Sequence, residues 1–341
     1  MLQLVRAAAA AVVVGTFLQP AASGQESGEV NIYSYRQPFL VEPLFDAFTR
    51  DTGIEVNVVF AKEGLIERLS REGRNSPADL LLTTDIGVLL DAVETGSAAS
   101  VTTPELEANV PAQYRHPEGL WYGLTVRARI IVTSKERVEP GAIETYEDLA
   151  DPKWKGRICT RSGKHVYNVA LTASMIAHHG ADQAEQWLRG VKENLAQRPQ
   201  GNDRAQVKAI KEGVCDVALI NSYYMGAMLS DPEQRQWADA VNILFPNQDG
   251  RGTHVNISGV LLTESAPNRD NAVRLMEFLS DDEAQQIYAE ANYEYPVKAD
   301  VPKSELLESW GDFKADTLPL AEIANLRAAA IQMVDRVGYD E

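Results

Sequence analysis

Apolar positions along the chain switch repeatedly between a period of two and a period near 3.6. Val30–Tyr35 is a short β-rich run. Val41, Leu44, Phe45 and Phe48 then recur three to four residues apart, which marks one face of a helix, and Gly53 ends it. Ile54–Phe60 alternates as a strand. Leu65, Ile66 and Leu69 mark the next helix, ending near Gly73, and Asp79–Leu82 suits a buried strand. This βαβαβ order predicts an α/β fold with a mostly parallel sheet covered on both faces.

The middle of the chain repeats the theme. Arg127–Ser134, Arg157–Thr160, Asp216–Asn221 and Val241–Phe245 read as strands. A helix is expected from about Ala170 to His178, and another through Ala184, Trp187, Leu188 and Val191. A short one is capped by Asn202 or Asp203 and stopped by Gly213. The tail predicts helices over Asn271–Leu279, Asp281–Ala291 and Leu320–Val334. Leu124–Ser134 and Thr253–Thr263 are longer than the usual strand of about 5–6 residues. Long strands shared by two sheets act as hinges. The expectation is therefore a two-lobed fold, each lobe a mostly parallel sheet flanked by helices, joined by two hinge strands. Residues 28–126 and 253–298 would form the N-terminal lobe, and residues 127–252 and 299–341 the C-terminal lobe. A ligand would bind in the cleft between them, near the carboxyl ends of the strands.

Charge narrows the partners. The 341 residues carry 32 Lys and Arg against 49 Asp and Glu, a net charge of −17. Nucleic-acid binding draws most of its affinity from Lys and Arg on phosphates, so a chain this acidic is a poor candidate for it and equally poor for adhesion to an anionic membrane. Residues 1–24 read as a secretory signal. Arg6 supplies the positive start, Ala7–Phe17 the apolar stretch, and Ala21, Ala22, Ser23 and Gly24 the small residues for cleavage. The apolar stretch falls well short of the roughly 20 residues needed to span a bilayer. Cys159 and Cys215 are the two cysteines. An even pair in an exported chain points to a disulfide, with two buried thiols as the alternative.

Tyrosines offer the chemistry. Asn221-Ser222-Tyr223-Tyr224 follows a buried strand at its carboxyl end, facing the expected cleft, and Tyr167 follows the strand Arg157–Thr160. Tyr167 and Tyr223 are 56 residues apart, as are Cys159 and Cys215. If the two strands are parallel neighbours and the cysteines meet, both tyrosines emerge on the same side. A phenol has a pKa of about 10 and is neutral at pH 7, but a trivalent ion stabilises the phenolate. Three phenolates would balance Fe³⁺, and hard oxygen donors suit a hard ion. A half-buried tyrosine with a wet hydroxyl is the plainer reading of any one of them.

The chain resembles the periplasmic ferric iron-binding proteins of bacterial iron ABC transporters, the bacterial-transferrin type of the class 2 periplasmic binding-protein fold. The resemblance runs through Asn31-Ile32-Tyr33-Ser34-Tyr35-Arg36, Asn75-Ser76-Pro77-Ala78-Asp79, Tyr122-Gly123-Leu124-Thr125-Val126-Arg127-Ala128-Arg129, the stretch Tyr146–Gly156, Pro199-Gln200-Gly201-Asn202-Asp203 and Asn221-Ser222-Tyr223-Tyr224. It implies Tyr223 and Tyr224 as iron ligands, Tyr167 as the third phenolate, and Arg127 beside the metal. The first segment departs from the pattern. Where relatives carry a His or a His-Tyr pair, this chain has Gln37 and Pro38, and where some carry a Glu it has Thr84 followed by Asp85. Tyr35, Gln37, water or an anion is left to fill that position. Arg161, Ser162, Gly163 and Lys164 could cradle a synergistic anion such as carbonate, while His165 reads as an exposed loop residue near Tyr167.

The function expected is a non-enzymatic, monomeric periplasmic binder of Fe³⁺, with Fe²⁺ as the alternative oxidation state. It would deliver the ion to an ABC permease in the inner membrane. A binder of organic or phosphate-like anions, using Arg127, Arg129 and Lys164, is the alternative. No Gly-x-Ser-x-Gly elbow, His-Glu-x-x-His or Cys-His signature points to a hydrolase.

Overall fold

The computed structural model describes residues 28–341, so the secretory signal expected over 1–24 lies outside the described residues. The chain opens with β1 (Glu29–Ser34), α1 (Pro38–Thr52), β2 (Glu55–Phe60), α2 (Leu65–Glu72), β3 (Leu80–Thr83), α3 (Ile86–Glu94), β4 (Ala98–Ala99) and α4 (Pro104–Asn109). The long β5 (Tyr122–Ser134) leads into the second half. There β6 (Ile158–Cys159), α5 (Val166–His179), α6 (Ala181–Glu193), α7 (Asp203–Lys211), β7 (Val217–Asn221), α8 (Tyr223–Ser230), α9 (Arg235–Ala238) and β8 (Val241–Leu244) follow. The chain returns through β9 (Val255–Thr263), α10 (Arg269–Ser280), α11 (Asp282–Ala291) and β10 (Tyr295–Pro296). It ends in α12 (Glu305–Ser309), α13 (Leu320–Asn325) and α14 (Arg327–Val337).

Local chemistry accounts for these boundaries. Pro38 opens α1, where its missing N–H costs nothing. Gly53 closes it at φ 73°, its N–H donating to the Thr49 carbonyl, and Val41, Leu44, Phe45 and Phe48 form the buried face. The four residues of β3 are all buried, as an interior strand covered on both faces requires.

The strand order is β2-β1-β3-β9-β5-β7-β6. β1 pairs in parallel with β2 and β3, and β6 with β7. β9 runs antiparallel to β3 and β5, and β5 antiparallel to β7, so each sheet is mixed where the chain crosses between lobes. All thirteen residues of β5 are buried. Tyr122–Ala128 pair with β9, and Arg129–Thr133 pair with β7, so the crossing falls between Ala128 and Arg129. The second expected hinge strand begins later, at Val255 opposite Ala128, and its pairing lies with the first half. Just before it, the His254 carbonyl accepts from the Arg129 amide at 2.9 Å.

Two helices differ from expectation. α5 starts at Val166 rather than near Ala170, because the His165 ring supplies the capping acceptor for the Tyr167 amide. The stretch expected as one helix over Leu320–Val334 is two, α13 and α14, separated at Leu326. Cys159 and Cys215 form a disulfide with Cα atoms 5.9 Å apart, tying the start of β7 to β6.

Candidate metal centre

Two helix starts build the centre. β7 ends at Asn221, and α8 begins with Tyr223 and Tyr224. Buried Ser222 locks that corner to β5. Its amide donates to the Ala128 carbonyl at 2.9 Å, and its hydroxyl accepts from the Ala128 amide at 3.3 Å. Tyr167 is the second residue of α5. Its hydroxyl and that of Tyr223 share a hydrogen bond at 3.1 Å, while the Tyr223 and Tyr224 rings lie 4.3 Å apart. The three tyrosines thus lie side by side. They line an interlobe cavity of about 400 Å³ with Tyr35, Gln37, Phe39, Thr84, Arg127, Arg204 and Tyr293 among its walls.

The surroundings set the charge. Burial pushes the Tyr223 phenol well above its ordinary range, with further upward push from Tyr167 and Tyr224 and an opposing pull from Arg127. Burial also pushes Tyr224 up to about 12. Both are neutral phenols at pH 7 without a cation. The guanidinium carbons of Arg161, Arg127 and Arg129 lie 5.0, 5.6 and 5.9 Å from the centre of the Tyr167 ring. Arg204 lies 6.0 Å from that of Tyr224. These distances are within cation–π range. Among the described residues no group of three His, Cys, Asp or Glu side chains is placed to hold a metal ion.

The scaffold behind the tyrosines rests on one buried carboxylate that the sequence reading placed only as a helix cap. Asn202 caps α7, its carboxamide oxygen accepting from the Ala205 amide at 3.0 Å, which leaves Asp203 free to turn inward. Asp203 accepts from Arg129 at 2.8 Å, Arg161 at 3.0 Å and the Asn221 amide at 2.8 Å. It fixes two of the arginines over Tyr167 and the strand end that carries Tyr223. Two adjacent capping residues where a helix needs one were the available signal. A second pair, Arg36 with Glu294 at 2.6 Å, is equally buried and also went unread. Its partners are 258 residues apart and no local pattern announces it.

Several expected site residues do other work. Tyr35 borders the cavity, but its hydroxyl oxygen accepts from the Leu65 amide at 2.8 Å and the Ile66 amide at 3.1 Å. It caps α2, whose own cap position is Gly64 and has no side chain to do so. Gln37 is exposed on the cavity wall at the start of α1 and makes no capping bond there. The anion cradle expected at Ser162 is occupied from within the chain. The Ser162 hydroxyl and the Gly163 amide donate to the Asp340 carboxylate at 2.7 and 2.8 Å, and Lys164 pairs with Asp335 at 2.6 Å. Arg161 from the same loop remains at the site through Asp203. Arg127 stays on the cavity wall, donating to the Ile257 carbonyl at 3.2 Å, with Glu294 4.0 Å away. His165 is not an exposed loop residue. Its ring meets Tyr167 edge-on at 4.5 Å, and burial together with Arg161 pulls its pKa down to about 3. Asp85 caps α3 and holds Asn256, leaving Thr84 alone on the cavity wall.

A two-lobed α/β fold with a polar interlobe cleft is the architecture of a solute-binding protein, and the chain belongs to that class. The family of bacterial extracellular solute-binding proteins matches residues 75–315. Among its relatives the chain is similar to iron uptake protein A1 of Synechocystis sp., with 45% identity over 317 residues covering 92% of this chain and 88% of that protein. It is also similar to the apo ferric ion-binding protein A of Pasteurella haemolytica, at 50% identity and a TM-score of 0.89 over 92% of this chain and 99% of that one. A Trichodesmium protein solved in complex with iron and citrate ligands matches at 45% identity and a TM-score of 0.87. That match covers 92% of this chain and all of the other.

Proposed function

We propose that the protein captures ferric iron in the cleft through the phenolates of Tyr167, Tyr223 and Tyr224 and hands it to an ABC-type permease from the periplasm, as a monomer and without catalysing a reaction. The observation that carries this reading is the gathering of three phenols on one cavity wall, while among the described residues no group of three His, Cys, Asp or Glu side chains is placed to hold a metal instead. Hard oxygen donors whose summed charge matches Fe³⁺ select that ion over softer or less charged ones, Fe²⁺ included. The iron named in the relatives' descriptions supports the same assignment.

Three phenolates leave coordination positions open, and a cavity of about 400 Å³ holds more than a bare ion. A synergistic anion such as carbonate fits beside Arg127, with Gln37 on the facing wall. The reading of the cleft as an organic-anion or phosphate site is weaker on charge grounds. Arg129 and Arg161 already share Asp203, Arg36 is paired with Glu294, and Lys164 is tied to Asp335 outside the cleft.

Titration of the purified protein with ferric citrate tests the proposal. A visible tyrosinate-to-iron charge-transfer band should appear and weaken in Tyr167→Phe. No band in the unmodified protein, together with anion binding that Arg127→Ala abolishes, would replace the iron reading by the anion one.

A further inference from the structure

Beyond the end of α11 three consecutive side chains reach three different parts of the molecule. Asn292 donates from its carboxamide to the Leu40 carbonyl in the first turn of α1, at 2.8 Å. Glu294 holds Arg36 through two bonds, at 2.6 and 3.0 Å, and lies 4.0 Å from Arg127. Tyr293, between them, lines the cavity. Its ring lies against Gly226 of α8, so close that a Cβ on that glycine would sit 2.2 Å from the ring. Its hydroxyl shares a hydrogen bond with that of Ser230, at the end of the same helix.

Two features mark this contact as built. Gly226 is buried within a helix, where glycine is the poorer helix former by roughly 1 kcal/mol, so what it provides here is room for a ring. Tyr293 has φ 56°, the left-handed region that a bulky L-residue adopts only where its surroundings hold it. The helix it grips begins with Tyr223 and Tyr224, and Tyr293 itself lines the cavity.

We propose that Tyr293 is an interlobe latch. It belongs to the α11–β10 segment of the N-terminal lobe and closes onto Gly226 and Ser230 of the C-terminal lobe. It thereby seals the cavity over the metal and sets the rate at which the metal leaves. Its neighbours tie the latch to the facing wall, Asn292 through α1 and Glu294 through Arg36 and Arg127. This inference rests on the ferric reading of the same cleft.

The test separates the two. Protein loaded with ferric citrate is mixed with excess competing chelator, and decay of the visible band gives the release rate. Lobe opening is read in parallel by small-angle X-ray scattering. Tyr293→Gly deletes the ring while suiting the left-handed backbone, Gly226→Ala fills the ring's seat from the other lobe, and Tyr293→Phe removes only the hydroxyl. Release should quicken about 10-fold in the first two and about 3-fold in the third, the scale of a lost packing contact and of one neutral hydrogen bond. The band itself should stay in place, because the phenols are intact. A wild-type release rate in a coloured Tyr293→Gly overturns the latch, and Tyr293→Gly alone decides if Gly226→Ala fails to fold. If the unmodified protein never colours, the ferric reading fails instead. The latch is then judged on metal-free protein, where an unchanged radius of gyration in Tyr293→Gly overturns it and an increased one supports it.

Discussion

Helices α5 and α8 bring Tyr167, Tyr223 and Tyr224 to the cleft in their first turns, backed by Arg127, Arg129 and Arg161. The facing wall, from Tyr35 to Leu40 and at Thr84, brings no free phenol. The first wall is pinned from behind by Ser222 on β5 and by Asp203 on two arginines. The second presents an amide, a hydroxyl and the side chain of Phe39, which is 68% exposed. Helix N-termini carry partial positive charge, which adds to the arginines in favouring an anionic oxygen. The contrast teaches that the three converging phenols are gathered on one wall of the cleft.

The largest effect should come from removing phenols on the first wall. Tyr223→Phe combined with Tyr224→Phe should abolish the visible band. It should weaken iron retention well beyond the 10- to 100-fold typical of groups outside a metal's coordination shell. Equilibrium competition against citrate measures this. Retention within about 10-fold of the unmodified protein would break the comparison between the walls.

How far the sequence foretells this wall depends on how local each determinant is. Tyr223 and Tyr224 were legible because a buried strand ends immediately before them. Tyr167 was legible through the equal spacing of the cysteine and tyrosine pairs, which the parallel β6–β7 pairing and the disulfide now explain. The fold followed from alternating periods, since the βαβαβ start and the long β5 are patterns of neighbouring residues. Asp203 was not legible as the anchor of Arg129 and Arg161, which lie 74 and 42 residues away. Polarity at a helix start reads equally well as a cap. Tyr35 was misleading for the opposite reason. A tyrosine beside the cleft looks like a ligand, and the two amides that use its oxygen come from a helix 30 residues further on.

Acid should act next most strongly. Burial holds Tyr223 and Tyr224 protonated at neutral pH, the latter with a pKa of about 12, so each must give up a proton when a metal binds. Binding therefore strengthens as pH rises and weakens as it falls. The two protons displaced from Tyr223 and Tyr224 alone correspond to at least about 100-fold in apparent affinity per pH unit below those pKa values. Proton release on loading, followed in weakly buffered solution, checks the count. Fewer than two protons per iron would mean that Tyr223 or Tyr224 stays out of the coordination shell.

Asp203→Asn should be smaller in its effect on iron and large for the fold. It leaves buried Arg129 and half-buried Arg161 short of their carboxylate, a loss of about 3–5 kcal/mol in unfolding free energy for a broken buried pair. Asp203 also pushes both Tyr223 and Tyr224 upward, so its removal eases ionisation of the phenols while it loosens their support. The two consequences oppose each other at the metal, and retention should fall only about 10-fold, in keeping with a group that acts through others. Denaturant unfolding of the metal-free protein and iron competition, run side by side, separate the terms.

The smallest effect is expected on the second wall, at Gln37. Its side chain makes no capping bond to α1, so truncation leaves no helix amide unpaired. A neutral carboxamide can offer an anion or a coordinated water one hydrogen bond, worth about 0.5–1.5 kcal/mol. Gln37→Ala should therefore change iron retention by no more than about 10-fold and leave the position of the visible band unaltered, since the phenolates set it. The informative variant is Gln37→His, which restores a residue type able to bind metal directly. Tighter retention with a shifted band would show that this wall lies within reach of the ion and lacks only a donor. An unchanged band would show that the first wall and its small ligands fill the coordination sphere without it.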